Sequence, residues 1–286
     1  MVVSVQALAC LDLLLWLRNG QAAAERLATS QPSVSRRVNH VAQVFGMQLY
    51  KSKGEWLVDG DGGLLAQERR VHQLYRWHNG HPLRLEAQGY SGPLFCPGLS
   101  TDWIQGNFDF FEVHTPMRHL REGVIDAWIG TYPDLPDAED LELVCVHLTR
   151  YPIHLVVVDG HPLLDLGASI SLDQVRRYPF FPLADGAFPQ AQAQFEALQL
   201  WSSASPVEDW QLVPSDPLSV APATVFTMGH FGAKRVTLPV EIPMVSGDSL
   251  VVRREFAEHP RLQALLEHLR HRAMELAATT PEVTCC

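Results

Sequence analysis

The sequence predicts an α/β protein in three parts: a small helical head closed by a basic hairpin, one connecting helix, and a larger body. Three observations predict it. Residues 21–53 read as two short helices joined by a tight turn and followed by a basic tail. Residues 64–78 contain neither Gly nor Pro and carry a heptad-like stripe. From Leu83 onward short β-type runs alternate with helical ones, the rhythm of an α/β domain with a mostly parallel sheet.

In the head, Ala22-Ala23-Ala24-Glu25-Arg26-Leu27 forms a helix rich in small residues, and Ala28-Thr29-Ser30 makes the turn. A second helix opens at Gln31-Pro32-Ser33, with Ser30 as its cap and proline tolerated in a first helical turn. Val34, Val38, Val41 and Phe45 fall on one buried face. The opposite face carries Pro32, Ser33, Arg36, Asn39, His40 and Gln43, and residues 28–54 include no acidic group. Such a helix, braced by a small-residue partner, fits a DNA major groove. The same pattern also describes a plain packing unit with a solvated face. Residues 49–58 favour DNA, because they form a short basic hairpin whose Lys51 and Lys53 can touch phosphates beside the groove.

The run from Ala22 to Lys53 resembles the winged helix-turn-helix of the LysR-type transcriptional regulators. It keeps Ala23-Ala24-x-x-Leu27, Ser30-Gln31-Pro32-Ser33-Val34-Ser35 and Phe45-Gly46-x-x-Leu49-Tyr50. It departs at Arg18-Asn19-Gly20-Gln21, where the family has Gly-Ser-Phe-Thr, at Lys51 for an arginine, and at the wing's close, Leu57-Val58-Asp59-Gly60-Asp61. The resemblance implies a DNA surface of Gln31, Pro32, Ser33, Ser35, Arg36, Asn39, Lys51 and Lys53. It also implies that the helix over residues 64–78, with Leu64, Val71, Leu74, Tyr75 and His78 on one stripe, links head to body and pairs with its mate in a dimer.

The body is similar to the family's effector-binding domain, two small α/β lobes like those of periplasmic binding proteins. Asp126-Ala127-Trp128-Ile129-Gly130 and Asp159-Gly160-His161-Pro162-Leu163 carry that likeness. The expected division is a winged helix-turn-helix over residues 1–60, a linker helix over 61–81 and an effector domain over 82–286. Within the last, lobe one takes 82–155 and 230–286 and lobe two takes 156–229. The chain is expected to cross between lobes near residues 150–159 and to return near 226–233. The strands expected are residues 83–87, 108–114, 124–130, 141–148, 153–159, 179–183, 198–202, 219–222, 236–240 and 249–253. Helices are expected over residues 117–122, 171–177, 188–198, 207–212 and 260–278.

Ligands of two-lobed domains bind at the carboxyl ends of strands. That rule points to Ser91, Gly92, Thr131 and Tyr132 in lobe one and to Ser202, Ser203 and Ser219 in lobe two. Trp128 and Tyr132 are placed to stack on an aromatic ligand. Each serine also fits a simple helix cap or turn. The resemblance implies a small carboxylate or an aromatic acid as effector, promoter DNA as partner, a homodimer or homotetramer, and contact with RNA polymerase. An altered lead-in and wing also suit a degenerate relative that senses a ligand or binds protein and holds DNA weakly.

Charge supports a local DNA contact. The chain has a net charge of −10, yet residues 1–60 sum to +2 and the remainder to −12. A basic head on an acidic body suits a regulator, and so weak a head suits binding in pairs. Hydrophobic content of 47% and charged content of 19% are those of an ordinary globular protein. No apolar run reaches the roughly 18–20 residues of a membrane span. Residues 7–17, broken by Asp12, lack a basic leader and a small-residue cleavage site, so they are read as the first helix of the head and not as a signal peptide.

Five cysteines, Cys10, Cys96, Cys145, Cys285 and Cys286, form no zinc-like spacing and suggest a reducing cytoplasm. No Gly-x-Ser-x-Gly, Walker loop, His-Glu-x-x-His or Cys-x-x-Cys occurs, so no catalytic residue, cofactor or metal is expected. His268 and His271 lie on one helical face beside Glu267 and Glu275. His147, His154 and His161 straddle strands and a turn and do not converge.

Overall fold

The computed structural model describes residues 2–52, 54–110, 112–181, 183, 186–200, 216–231 and 234–286. The head is α1 (Val5–Leu17), α2 (Gly20–Arg26), α3 (Gln31–Phe45) and a hairpin of β1 (Gln48–Ser52) with β2 (Glu55–Asp59). Ser4 caps α1 by accepting the Ala7 amide, and Arg18 ends the helix in a left-handed conformation at φ 57°. Ser30 caps α3 through the Ser33 amide, Pro32 sits in the first turn, and Gly46 closes the helix at φ 64°. Val34, Val38, Val41 and Phe45 are buried, as their spacing requires. The wing is antiparallel, with Tyr50 opposite Leu57 and Lys51 opposite Trp56.

The connecting helix α4 spans Gly63–His78. Leu64 and Val71 are 55% and 47% exposed, while Leu74 and Tyr75 are half-buried. The other face, Glu68, Arg69, His72, Gln73, Arg76 and Trp77, is buried against the rest of its own chain. A helix with a polar buried face demands partners, and the body supplies them: Arg76 grips Asp126 through Nε at 3.1 Å and Nη2 at 3.0 Å, and Gln73 donates to the same carboxylate.

The body runs β3 (Leu83–Ala87), α5 (Ser91–Phe95), β4 (Trp103–Gln105), α6 (His114–Arg121), β5 (Ala127–Tyr132), β6 (Leu143–His147), β7 (Thr149–Pro152) and β8 (His154–Val158). It continues with a short 3-10 segment at Pro162–Ser169, α7 (Leu172–Val175), α8 (Pro189–Ala197), β9 (Ala221–Ala223), β10 (Arg235–Thr237), β11 (Val245–Arg253), α9 (Pro260–Thr279) and β12 (Thr284–Cys285). One sheet has the order β12-β7-β11-β5-β3-β4, with β6 also on β11; a second has the order β10-β8-β9. The two lobes are built on these sheets.

Several expectations are corrected. The sheets are not mostly parallel: among the named strands of the described residues only β3 pairs parallel, with β4 and β5, while β11 runs antiparallel to β5, β6 and β7. The long strand β11 returns from the second lobe against the direction of β5, which imposes that geometry. Among its described residues the expected strand at 108–114 reduces to a single bridge between Phe110 and Gln88, and β4 fills the edge instead. The described residues of 179–183 likewise give only a bridge from Phe180 to Val220. Because β10 belongs to the second sheet, the chain returns between Thr237 and Val245, later than residues 226–233. The expected helix at 207–212 and the end of the strand at 198–202 lie outside the described residues.

Head and body share one core. Leu8, Leu11, Leu13, Leu14, Leu15, Trp16 and Leu17 of α1 join Val34, Val38, Val41 and Phe45 of α3 in a cluster that also contains Phe110, Val113, Leu120, Val124, Ile125 and Trp128 of the body. A helix apolar on every side has to be covered on every side. Here α3 covers one side and the body the other.

Candidate nucleic-acid interface and effector cleft

The first candidate surface is the outer side of α3. Gln31, Pro32, Ser35, Arg36, Asn39, His40 and Gln43 are exposed, and Ser33 is half-buried. The Arg36 guanidinium donates to Ser33 Oγ at 3.2 Å, and Ser33 Oγ lies 2.9 Å from Ser30 Oγ, so the cap and the arginine are tied together at the N-terminal turn. That turn presents serine hydroxyls and a cation, features that suit a phosphate or a base edge, while the Ser33 and Val34 amides are taken by Ser30 and Pro32 has none. Lys51 is exposed on β1; Lys53 lies outside the described residues. The wing's other strand is less free. Glu55, Trp56, Leu57 and Val58 are half-buried, and burial together with the charge of Glu112 on the body raises the Glu55 carboxyl above its usual range.

The second candidate site is the edge where β3 and β5 end and β11 begins. It brings Ser91, Gly92 and Thr131 together, but turns them toward protein. Ser91 Oγ donates to Asp248 Oδ1 at 2.5 Å, and Thr149 and Tyr151 donate to Oδ2 of the same carboxylate at 2.8 and 3.1 Å. Burial raises the Asp248 carboxyl, and these hydroxyl donors oppose the rise. Thr131, opposite Asp248 in the ladder, donates to Gln88 Oε1, which also accepts the Tyr90 hydroxyl at 2.9 Å. The Gln88 amide nitrogen is buried and has no partner among the described residues. Gly92 is roofed by Phe108, whose ring lies 2.3 Å from where a Cβ would stand.

Two stacking assignments part company. Trp128 is fully buried in the shared core, so it is not a cleft wall; Gly130 is needed beside it because a Cβ there would meet the indole at 2.6 Å. Tyr132 is half-buried, with the Arg150 guanidinium 4.1 Å over its ring. It opens onto a cavity of about 400 Å³ with Pro133, Leu135, Cys145, His147, Gln190 and Arg254 among its lining. Ser219 is buried just before β9, with its amide on the Asp216 carbonyl at 3.0 Å. Ser202 and Ser203 lie outside the described residues. Among the described residues no group of three His, Cys, Asp or Glu side chains is placed to hold a metal. No helix among them is long and apolar enough to cross a membrane.

Sequence reasoning missed the polar contacts between head and body. Asp12, 1% exposed, accepts from Arg69 Nε at 2.8 Å and from Arg84 Nη1 at 3.1 Å. Burial would raise its carboxyl, but the guanidiniums of Arg69, Arg84 and Arg76 hold it below the usual range. Trp16 Nε1 donates to Glu86 Oε2 at 2.6 Å. The signal was there in one residue: a single Asp inside a helix otherwise apolar on all sides needs a buried cation.

Comparison with known proteins agrees with this architecture. Residues 106–200, about a third of the chain, match the LysR substrate binding domain. A full-length OxyR variant from Pseudomonas aeruginosa is 20% identical, with a TM-score of 0.61 over 99% of this chain and 98% of that one. CbnR in complex with its target DNA is 15% identical, with a TM-score of 0.54 over 94% and 99%. HinK, a LysR family regulator from Pseudomonas aeruginosa, is 16% identical, with a TM-score of 0.51 over 94% and 98%. No curated protein matches the sequence.

Proposed function

We propose that this chain, a LysR-type protein by its substrate binding domain and its full-length fold, is a transcriptional regulator that reads duplex DNA through α3 and answers to a small molecule held by its two α/β lobes. The observation that carries the reading is the division of α3 into a sealed apolar face and an exposed, cation-bearing face whose N-terminal turn is capped by Ser30. Pro32, Ser33, Ser35 and Arg36 meet the groove, Gln31 and Asn39 flank them, and Lys51 and Lys53 hold phosphate. The exposed stripe of α4, Leu64 and Val71, is the seam for a second copy, and two heads compensate for the low charge of one.

The effector is a small acid or aromatic compound that favours one lobe geometry over another, since only a differential affinity moves the equilibrium. The protein works in the cytoplasm as a regulator and not as an enzyme. Enrichment of bound duplexes from a random pool tests the DNA reading directly. Arg36→Ala is expected to weaken the enriched duplex by roughly 1–3 kcal/mol if Arg36 reads a base. Equal loss on enriched and random duplex would make Arg36 a phosphate contact. No enrichment at low salt would refute the reading. A thermal-shift screen of small carboxylates and aromatic acids tests the effector.

A further inference from the structure

Helix α1 and strand β3 meet in matched register. Asp12 and Trp16 are four residues apart on α1, a rise of about 6.0 Å at 1.5 Å per residue. Their partners, Arg84 and Glu86, are two apart on β3, a rise of about 6.6 Å at 3.3 Å per residue. Asp12 therefore meets Arg84 while Trp16 meets Glu86, both pairs buried. Three further contacts clasp the end of the helix. Arg18 pairs with Asp109 and lies 4.1 Å over the Phe110 ring, and Asn107 donates to the Leu17 carbonyl at 3.4 Å. Gln88, one residue past the end of β3 and next on the same face, holds Thr131 and Tyr90 at the cleft. One strand thus touches the head twice and the cleft once.

We propose that Asp12 and Trp16, with Arg84 and Glu86, position the DNA-reading head on its own body, so that β3 sets the orientation of α3. The inference rests on the reading of α3 as the DNA-contacting helix. The linker helix adds to the same bond, since Arg69 carries the other oxygen of Asp12. A cleft ligand that shifts Gln88 acts on the strand that carries Glu86, and so on Trp16.

Glu86 also gives the contact a pH signature. Its oxygens accept from Trp16, from the Ala87 amide at 2.9 Å and from the Phe108 amide at 3.1 Å. The charged or titratable groups facing it are Asp109, paired with Arg18, and the Cys96 thiol just after α5. Burial pushes its carboxyl up from 4.5 to about 7. Because the head covers part of this burial, Glu86 holds its proton more tightly when the head is docked, and docking weakens as pH rises through this window.

Hydrogen exchange on the full chain and duplex binding test the proposal together. Trp16→Phe removes the Nε1 donor and keeps one aromatic ring, and α1 amides are expected to exchange at least about tenfold faster. Asp12→Asn, which keeps the shape, is a second variant should the first fold poorly. On enriched duplexes with two half-sites, a one-base-pair change of spacer is expected to weaken the wild type by at least about tenfold and Trp16→Phe by less than about threefold. Affinity for a single half-site is expected to stay equal. The rise of α1 exchange from pH 5.5 to 8, after correction for intrinsic rates, should flatten in Glu86→Gln. Unchanged exchange in both variants would overturn the docking. Faster exchange with an unchanged spacer profile would overturn the positioning role. A pool that yields no enriched duplex would overturn the DNA reading and the proposal with it, while the exchange result would still show whether the head is docked.

Discussion

Asp12→Ala is the sharpest test of the shared core. The carboxylate is buried between Arg69 and Arg84, which are 5% and 3% exposed, so its loss leaves two guanidiniums short of a partner away from water. Breaking a buried pair from one side costs roughly 3–5 kcal/mol. Two features moderate that figure: Arg69 keeps Glu122 at 3.1 Å, and Arg84 keeps the Val124 carbonyl at 2.7 Å. The lower end, about 3 kcal/mol, is therefore expected, or a fall of about 6–12 °C in Tm for a chain of this size. Arg84 cannot escape by losing its proton, because burial and the nearby Arg76 lower its pKa only to about 10. Circular dichroism during urea and thermal denaturation measures the loss. Replacing Asp12 by Leu together with Arg84 by Met should recover only part of it, since the apolar pair needs no desolvation but Arg69 still loses its bond to Asp12 and keeps Glu122 alone. A loss below about 1 kcal/mol for Asp12→Ala, the value of an exposed pair, would refute the burial of α1 on the body.

Other outcomes follow from the same structure. His119 is buried, and burial with the nearby Arg118 and Arg69 pushes its pKa from 6.5 down to about 3. The unfolded chain takes up a proton that the native chain refuses, so stability falls with acidification from pH 6.5 toward 3, by up to about 1.4 kcal/mol per pH unit. His119→Leu should remove that slope in urea titrations repeated at each pH. Native alkylation should label Cys285 and Cys286 fast and leave Cys10 and Cys96 intact, because the first two are exposed and the others buried, with the Cys96 thiol raised to about 12. Mass spectrometry of the labelled chain reads the result. Val71→Glu places a charge on the exposed stripe of α4 and should weaken self-association at least tenfold in sedimentation velocity, about 1.4 kcal/mol.

The head was legible in sequence because its signals are local. A serine cap, a proline in the first turn and a glycine at the end fixed α3 to its residues, and the spacing of Val34, Val38, Val41 and Phe45 fixed its buried face. The strands β3 and β11 were legible as apolar runs, but their directions were not. Parallel or antiparallel pairing is decided by how the chain comes back, which no run of residues states. The serines of the cleft were recognised as polar residues at strand ends, and Ser91 does lie there; what a sequence does not state is that Asp248, far along the chain, would take its hydroxyl. Trp128 misled because an aromatic beside a glycine suits a ligand platform and a core equally well. Asp12 was seen as an interruption of an apolar run, and its partners, 57 and 72 residues later, only folding brings near.

The all-apolar character of α1 bears on how the molecule can be cut. A fragment ending after the wing would carry Trp16 and its neighbouring leucines into water with nothing above them, and Asp12 would lose both its cations. Such a piece is expected to clump or to recruit another greasy surface. Chimeras that exchange heads between relatives at the hinge after His78 would fail for the same reason unless β3 travels with its helix.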